Sequence, residues 1–451
     1  MAVQERIQAL RNWSPLAVLA SLDDDVTDRR LLGRRYVVVR RPDLVEQVLV
    51  AGHDKYVKAV HYRLLAAVTG NGLLTSEGDD WQHQRRLIQP LVGRRQLHQL
   101  GEQMVAATEA NLRRWNDYDN GEVLDVAKAM THLTLDVVGR ALFGTTLADV
   151  ADRLRPAVDV GLRTAIVAAR LQMLLALPRR FLDAAGGFVA RAPVLPPPIN
   201  RIQTAMRTID DVVNEIVAAR QQAAGTDVDP TDMVGLLLAA RDVDGHPLSA
   251  HQVRDELVTS MLAGHETTAN GLAWTWYLLA QHPEAEAKLH AEIDETLGDG
   301  PITPDAAERL AWAAACFSEA MRLYPPAWIL EREAVTDDDL DGHRVTAGTT
   351  VIIPVHAIHH DGRYWPDPER FDPTRFLGDA GHRRHRGAYL PFGAGRRVCI
   401  GAGFAQLEAA IILAAIARRY RLTLAAGAQA TPEATVTLRP RGGLPMRVAR
   451  R

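Results

Sequence analysis

Cysteine is nearly missing from this chain: its 451 residues include two, Cys316 and Cys399. They cannot build a disulfide framework, and they suit a reducing compartment, where a lone thiol is buried, catalytic or bound to a metal. No apolar run approaches the roughly twenty residues of a membrane-spanning helix. The apolar patch from Leu16 to Leu22 is short and runs into Asp23, Asp24 and Asp25, so no span and no secretory leader are expected. Neither sign of charge dominates. The formal net charge is −3 with acids and bases mixed throughout, which argues against a nucleic-acid partner. Also missing are G-x-x-x-x-G-K-[ST] and a strand-borne G-x-G-x-x-G, so no NAD- or flavin-binding module is expected in the chain. What remains is a cytoplasmic protein, 47% hydrophobic, with material for a large core.

The run RYVVVRR, Arg35 to Arg41, is β-branched and predicts a strand. Pro42 then opens a helix with Leu44, Val45, Val48 and Leu49 at helical spacing. From there to about residue 330 the pattern is helical, broken at APVLPPPIN, Ala192 to Asn200, where proline removes donors and fixes the backbone. Beyond it come short strands and turns, including Val345 to Ile353 around Gly348, and a last helix from near Gly401 to about Arg419. No internal repeat interrupts this order. We therefore expect one domain over residues 1–451, mainly α with a minor β region, in which about the first thirty residues form an extension without a membrane anchor.

The stretch PFGAGRRVCIG, Pro391 to Gly401, carries the most chemistry. Gly393, Gly395 and Gly401 permit tight turns and close approach to a flat partner. Cys399 stands just ahead of a helix of small and apolar residues, so its sulfur is expected to face helix N-terminal amides, which lower a thiol pKa. One thiolate is too few ligands for structural zinc or an iron–sulfur cluster. A porphyrin brings its own ring nitrogens and needs a single axial donor. Arg397 would place a cation where an acidic cofactor edge could lie. Cys316, inside the apolar helix AWAAACF, reads instead as a buried, inert thiol.

Phe392, Gly395, Arg397, Cys399 and Gly401 match F-x-x-G-x-R-x-C-x-G without a gap, and on this motif the chain resembles the cytochrome P450 family, soluble bacterial type. The resemblance runs from about residue 30 to the C-terminus and implies that Cys399 is the axial ligand of haem b, with Phe392, Gly395 and Arg397 around the cofactor. Further motifs follow in the family's order. Ser249 is a plausible N-cap for a helix reaching Ala280. Within it, Ser260, Gly264, Thr267 and Gly271 strip one face of bulk, a pattern that suits close helix packing as well as an open site. Glu266 and Thr267 in that stripe favour the site, because buried acids and hydroxyls cost free energy unless paired. AGHETT, Ala263 to Thr268, is similar to the family's oxygen-activating [AG]-G-x-[DE]-T-[TS]. By that resemblance Thr267 would hydrogen-bond bound O2 and Glu266 would help relay protons; His265 receives no role.

Glu319 and Arg322, at i and i+3, resemble the family's E-x-x-R, a buried pair joined by a downstream arginine. Both PERF and PTRF fit P-x-R-F, and counting from Tyr364 and Trp365 toward the cysteine loop favours Arg375. For the haem propionates the resemblance nominates Trp81 and Arg85, which match W-x-x-x-R, and Arg332; His360 stands where many relatives carry arginine. Pocket candidates are Met261, Leu262, Ala263, Ala327, Trp328 and Ile329, with the Pro-rich stretch from Leu195 to Ile199 as an entry lid.

Three other signals are set aside. DDDLDG, Asp337 to Gly342, opens like a calcium loop but has Gly348 at its twelfth position, so an acidic turn is expected. His356, His359 and His360 lack an H-E-x-x-H frame and read as structural. HRRHR, His382 to Arg386, reads as a solvated loop that with Arg396 would offer a basic patch to an acidic electron donor. The family then implies a monomeric haem monooxygenase that inserts one atom of O2 into a lipophilic small molecule of terpenoid, fatty-acid, steroid or polyketide type. Electrons would come from a separate ferredoxin or flavodoxin with its reductase. A peroxide-dependent peroxygenase is the first alternative, disfavoured by the Glu266–Thr267 pair. A non-catalytic haem sensor is the second, disfavoured by the lack of a signalling domain.

Overall fold

The β-branched run near the N-terminus becomes the spine of a sheet in the computed structural model, which describes residues 15–451 except 23, 32, 119, 148–152, 155, 159, 162–163, 165–198, 225–231, 242–244 and 379–384. Strands β1 (Val26–Leu31), β2 (Arg34–Val39), β3 (Tyr56–Lys58), β4 (Leu330–Ala334) and β5 (Thr350–Ile353) lie in the order β1-β2-β5-β4-β3. All pairs are antiparallel except β2 with β5, where Val37 faces Val351. Valines 37, 38 and 39 are all buried, which explains why this strand shows no alternation. The register puts Lys58 opposite Arg332, a pairing of two cations that no local pattern announces.

Seven helices surround the cysteine loop and the core behind it: α1 (Gly78–Ile88), α2 (Arg94–Arg113), α3 (Val126–Phe143), α4 (Ile199–Ala224), α5 (Ala250–Gln281), α6 (Ala311–Leu323) and α7 (Ala402–Ala417). The expected cap of α5 is present: the Gln252 N–H donates to the Ser249 hydroxyl at 3.2 Å and the Ser249 N–H to the Gln252 side chain at 2.9 Å. The largest core cluster joins α2, α3, α5, α6 and α7 through residues such as Met104, Leu133, Trp276, Phe317 and Ile411. A second packs α3, α4 and the first half of α5 through Val138, Ile209, Leu257 and Met261. Helix α7 is apolar on every face and buried accordingly, with Glu408 its sole charged residue. Among the described residues no helix is long and apolar enough to cross a membrane. The stretch 192–198 lies outside the described residues; Ile199 and Asn200 open α4.

The small-residue stripe of α5 resolves toward packing. A Cβ on Gly264 would come within 3.0 Å of Val138 on α3, and one on Gly271 within 2.9 Å of Phe317 on α6. DDDLDG forms a tight hairpin, with Asp341 and Gly342 at φ 55° and 84°, the positive values that a two-residue reversal demands. Its Asp338 accepts from Lys55 at 2.7 Å and Tyr56 at 2.8 Å. No cluster of His, Cys, Asp and Glu suited to a metal ion occurs among the described residues.

Three consecutive residues of α5 pin the connection between residues 68 and 76. Arg254 donates to the Val68 carbonyl at 3.1 Å and to Asp210 on α4 at 2.8 Å. Asp255 accepts the Asn71 N–H at 2.7 Å, and Glu256 accepts the Leu73 N–H at 3.2 Å. Burial pushes Glu256 up to about 7, with Leu73 pulling the other way and Asp255 adding to the rise. A raised folded pKa means that the native state holds its proton longer than the unfolded chain does. The associated stability is therefore complete below the ordinary carboxylate pKa of about 4.3 and is lost as pH rises toward 7, by roughly 3 kcal/mol. Glu256→Gln should flatten that loss when melting is compared at about pH 5 and about pH 8. Parallel slopes for variant and parent would remove Glu256 as the cause.

Candidate functional site

The cysteine loop is a backbone turn closed on itself. The Cys399 N–H donates to the Phe392 carbonyl at 2.9 Å, and the Val398 N–H to that of Gly395 at 3.1 Å. Gly395 sits at φ +69°, and a Cβ there would lie 2.0 Å from the Leu49 carbonyl, so two separate constraints demand glycine. Gly401 is different: its φ is −89°, and a Cβ would stand 4.0 Å from the Cys399 sulfur. Phe392 is partly buried against the main core.

Cys399 has an exposed side chain, yet burial raises its thiol pKa. Both hold if the sulfur opens onto an internal space instead of the outer surface. The expectation of a lowered pKa is thus corrected: desolvation outweighs the Gly401 N–H and the Arg85 guanidinium, which act in the lowering direction. Arg85, on α1, also donates to the Val398 carbonyl at 3.0 Å, so it braces the cysteine loop.

Cations gather on one side of this loop. Lys58, Glu77, Trp81, Arg332, Arg396 and Arg397 are among the residues lining a cavity of about 270 Å³. The Arg397 guanidinium lies 4.0 Å above the Trp81 ring, donates to the Ser76 carbonyl at 2.9 Å and pairs with Glu77. Burial pulls Arg397 down to about 10. Burial, with Arg397 and Arg332 nearby, pulls Lys58 well below the usual lysine range. Four basic side chains, Lys58, Arg332, Arg396 and Arg397, outnumber the two acids of the lining, Asp54 and Glu77. An anionic partner carrying more than one carboxylate would relieve this excess.

On α5, Ala263 is exposed in mid-helix, after the buried Met261 and Leu262 and before the half-buried Gly264. The Thr267 hydroxyl donates to the Ala263 carbonyl at 2.8 Å, and Glu266 accepts from Thr437 at 2.7 Å. His265 turns the other way: its Nδ1 meets the Met261 carbonyl at 2.6 Å, its own carbonyl accepts from Thr134 on α3 at 3.0 Å, and burial lowers its pKa. Of the pocket candidates, Ala263, Ala327 and Ile329 expose surface. Met261 and Leu262 do not; helical rotation carries them into the core with α3 and α4. Trp328 packs against Leu16 and Leu438, and its indole N–H donates to the Thr435 carbonyl at 2.9 Å. Those three are corrected from pocket wall to core.

Glu319 and Arg322 are completely buried and doubly bonded, at 2.7 and 2.8 Å. Arg375 reaches Glu319 at 3.4 Å, whereas Arg370 offers only its carbonyl, to Arg322 at 3.1 Å. Arg322 further donates to the carbonyls of His359 and Pro368, at 2.8 and 2.6 Å. His359 in turn accepts the Leu390 N–H at 2.8 Å, immediately before the cysteine loop, so its role is structural. His360 stacks on His356 with ring centres 4.1 Å apart and lies 3.8 Å from Glu369, away from the cationic cavity.

Sequence reasoning missed Lys58, Glu77, Thr437 and Glu408. The first three come to the site through strand register and loop placement. Glu408 was visible as one acid in an apolar helix; its side chain is completely buried, and burial raises it well above the usual carboxylate range, with the Thr268 hydroxyl acting in the lowering direction.

Known proteins resemble this chain in sequence and in fold. A family model described as cytochrome P450 matches residues 20–444. The Mycobacterium tuberculosis protein named cytochrome P450 132 is 39% identical over 93% of this chain and 89% of its own length. Cyclooctatin synthase of Streptomyces melanosporofaciens is 36% identical over 94% of the chain and 89% of its own. Pentalenene oxygenase of Streptomyces avermitilis is 33% identical over 94% and 90%. The crystal structure of the cytochrome P450DA heme domain superposes with a TM-score of 0.84 at 25% identity, covering 99% of this chain and 95% of that one.

Proposed function

The chain belongs to the cytochrome P450 family and is a haem-dependent monooxygenase, and from that premise we propose that it hydroxylates a terpenoid-type lipophile with haem b ligated by Cys399. The observation that carries the ligand is the accessible Cys399, set in a turn that its own N–H closes onto the Phe392 carbonyl and flanked by Arg85. The substrate class rests on relatives whose names specify cyclooctat-9-en-7-ol and pentalenene.

The residues present fit such a cofactor. Cys399 would bind the iron, Phe392 and Gly395 would shape the loop that presents it, and Lys58, Trp81, Arg332 and Arg397 would hold the cofactor's carboxylates. Arg85 braces the loop and favours the thiolate. Haem, when bound, supplies oxygen activation, and a thiolate ligand pushes electron density toward O–O cleavage. The chain does the rest. Thr267 holds a hydroxyl proton at Oγ1, and Glu266, which accepts from the Thr437 hydroxyl, resupplies it. Ala263, Ala327 and Ile329 present small or apolar surface to the guest. Of the basic run His382 to Arg386, residues 382–384 lie outside the described residues; His385 and Arg386 are exposed, as is Arg396, and the run with Arg396 would offer a basic approach to a separate ferredoxin or flavodoxin. We read the chain as one monomeric, cytoplasmic domain, which takes in the strand Val26–Leu31 near its start.

A compound panel tests the substrate. Cyclic terpenoids should drive the low-to-high-spin change of the haem spectrum; a response to fatty acids, steroids or polyketides with none to terpenoids would overturn the class. Thr267→Ala tests the oxygen chemistry. Positioned proton donors typically contribute about 10²–10⁴ in rate, so product formed on reductant and O2 should fall by about two orders of magnitude. Peroxide-driven turnover untouched by the substitution, with none on reductant and O2 in either protein, would establish a peroxygenase instead.

A further inference from the structure

The hairpin of strands β6 (Pro432–Ala434) and β7 (Leu438–Pro440) ends beside α5, and its turn is fixed from several sides. The Trp274 indole donates to the Leu438 carbonyl at 3.2 Å, and that of Trp328 to the Thr435 carbonyl at 2.9 Å. The Leu438 N–H donates to the Pro326 carbonyl at 3.0 Å, and the Thr435 hydroxyl to the Thr437 carbonyl at 2.7 Å. Backbone bonded this densely leaves the Thr437 side chain little choice of position.

That side chain is 6% exposed and donates to Oε1 of Glu266 at 2.7 Å. It also receives a hydrogen bond, at 3.1 Å, from the amide nitrogen of Asn270, itself 8% exposed. Glu266 and Asn270 are one helical turn apart on the same face of α5, so the threonine spans them. An amide nitrogen can only donate, which leaves the single hydroxyl proton of Thr437 to go to the carboxylate. The sequence motif stops at the acid and the alcohol; these two residues lie beyond it.

We propose that Thr437 and Asn270 are positioning residues that orient the carboxylate of Glu266 for proton delivery to Thr267, an assignment that rests on the relay role given to Glu266 above. Neither touches reacting atoms. Without the hydroxyl, the carboxylate loses a fixed donor in a partly buried setting and can swing to other rotamers. Protons then arrive late, and reduced oxygen leaves as hydrogen peroxide in place of product.

The test uses the haem-loaded protein with reduced ferredoxin, its reductase and the terpenoid that gives the largest spin shift. Thr437→Val should raise peroxide released per product by about tenfold, in the range seen for outer partners of a reactive centre, and enlarge the solvent deuterium isotope effect. Substrate affinity and the spin shift should stay as in the parent. Thr437→Ser, which keeps the hydroxyl, should restore coupling. Parent-like coupling in Thr437→Val while Glu266→Gln uncouples would overturn this proposal and leave the relay reading intact. Parent-like coupling in Glu266→Gln would overturn both. Equal losses in the Ser and Val variants, or a change confined to KM, would make the hairpin a wall of the pocket and nothing more. Should Thr437→Val fail to load haem, Asn270→Ala decides: uncoupling in the same direction supports the proposal, and parent-like coupling refutes it.

Discussion

Cys399→Ala is expected to give a protein with native helix content, no red-shifted band in its reduced carbon-monoxide complex and no monooxygenase activity. The loop around this cysteine is held by its own backbone bonds and by Arg85, none of which uses the sulfur, so the fold should survive. No second thiol can take over. Cys316 is completely buried in α6, and burial with the Glu292 and Glu319 carboxylates nearby raises its thiol far above the usual range. Cys316→Ala should therefore retain the band, and the two variants together separate a missing ligand from general damage. A band persisting in Cys399→Ala would remove the ligand assignment and with it the oxygen chemistry.

The second large effect belongs to Arg322→Leu. Breaking a buried ion pair by removing one partner typically costs about 3–5 kcal/mol, because the remaining charge is left in a low-dielectric interior. Here the loss extends further, since Arg322 also serves the carbonyls of His359, Pro368 and Arg370. Against a typical total stability of about 5–15 kcal/mol, the variant should unfold at markedly lower urea and load little haem. Arg375→Ala should be milder, as its contact with Glu319 is longer, at 3.4 Å, and its side chain is 12% exposed. Urea midpoints and haem per protein measure both effects. An Arg322→Leu midpoint within error of the parent would mean that the pair contributes nothing to the native state.

Motifs whose residues are neighbours in the chain were readable before any coordinates. The cysteine loop, the cap of α5, the Glu319–Arg322 pair and the choice of Arg375 over Arg370 follow from spacing and from the family pattern. The pocket list failed for a simple reason: each helical residue turns about 100°, so flanking Ala263 does not keep Met261 or Leu262 on its face. The small-residue stripe was ambiguous because only coordinates show Val138 and Phe317 against its glycines. Lys58 and Thr437 were invisible for another reason. Strand register places the first opposite Arg332, and a distant hairpin brings the second to Glu266. The thiol shift was misjudged because helix amides could be counted from sequence whereas desolvation could not.

The parallel pairing of β2 with β5 has a kinetic side. Val37 meets Val351, a partner made roughly three hundred residues later. At about 5–20 residues per second, a ribosome would leave the valine strand waiting some 15–60 s for its central neighbour. Until then β2 can pair only with β1, and an apolar strand with one edge open is a template for aggregation. Arg34 and Arg35 stand before the valines, and Arg40 and Arg41 follow them, charges of the kind that repel a second copy during that interval. Neutralising these arginines should lower the soluble yield of newly made chains more than it lowers the melting temperature of those that finish.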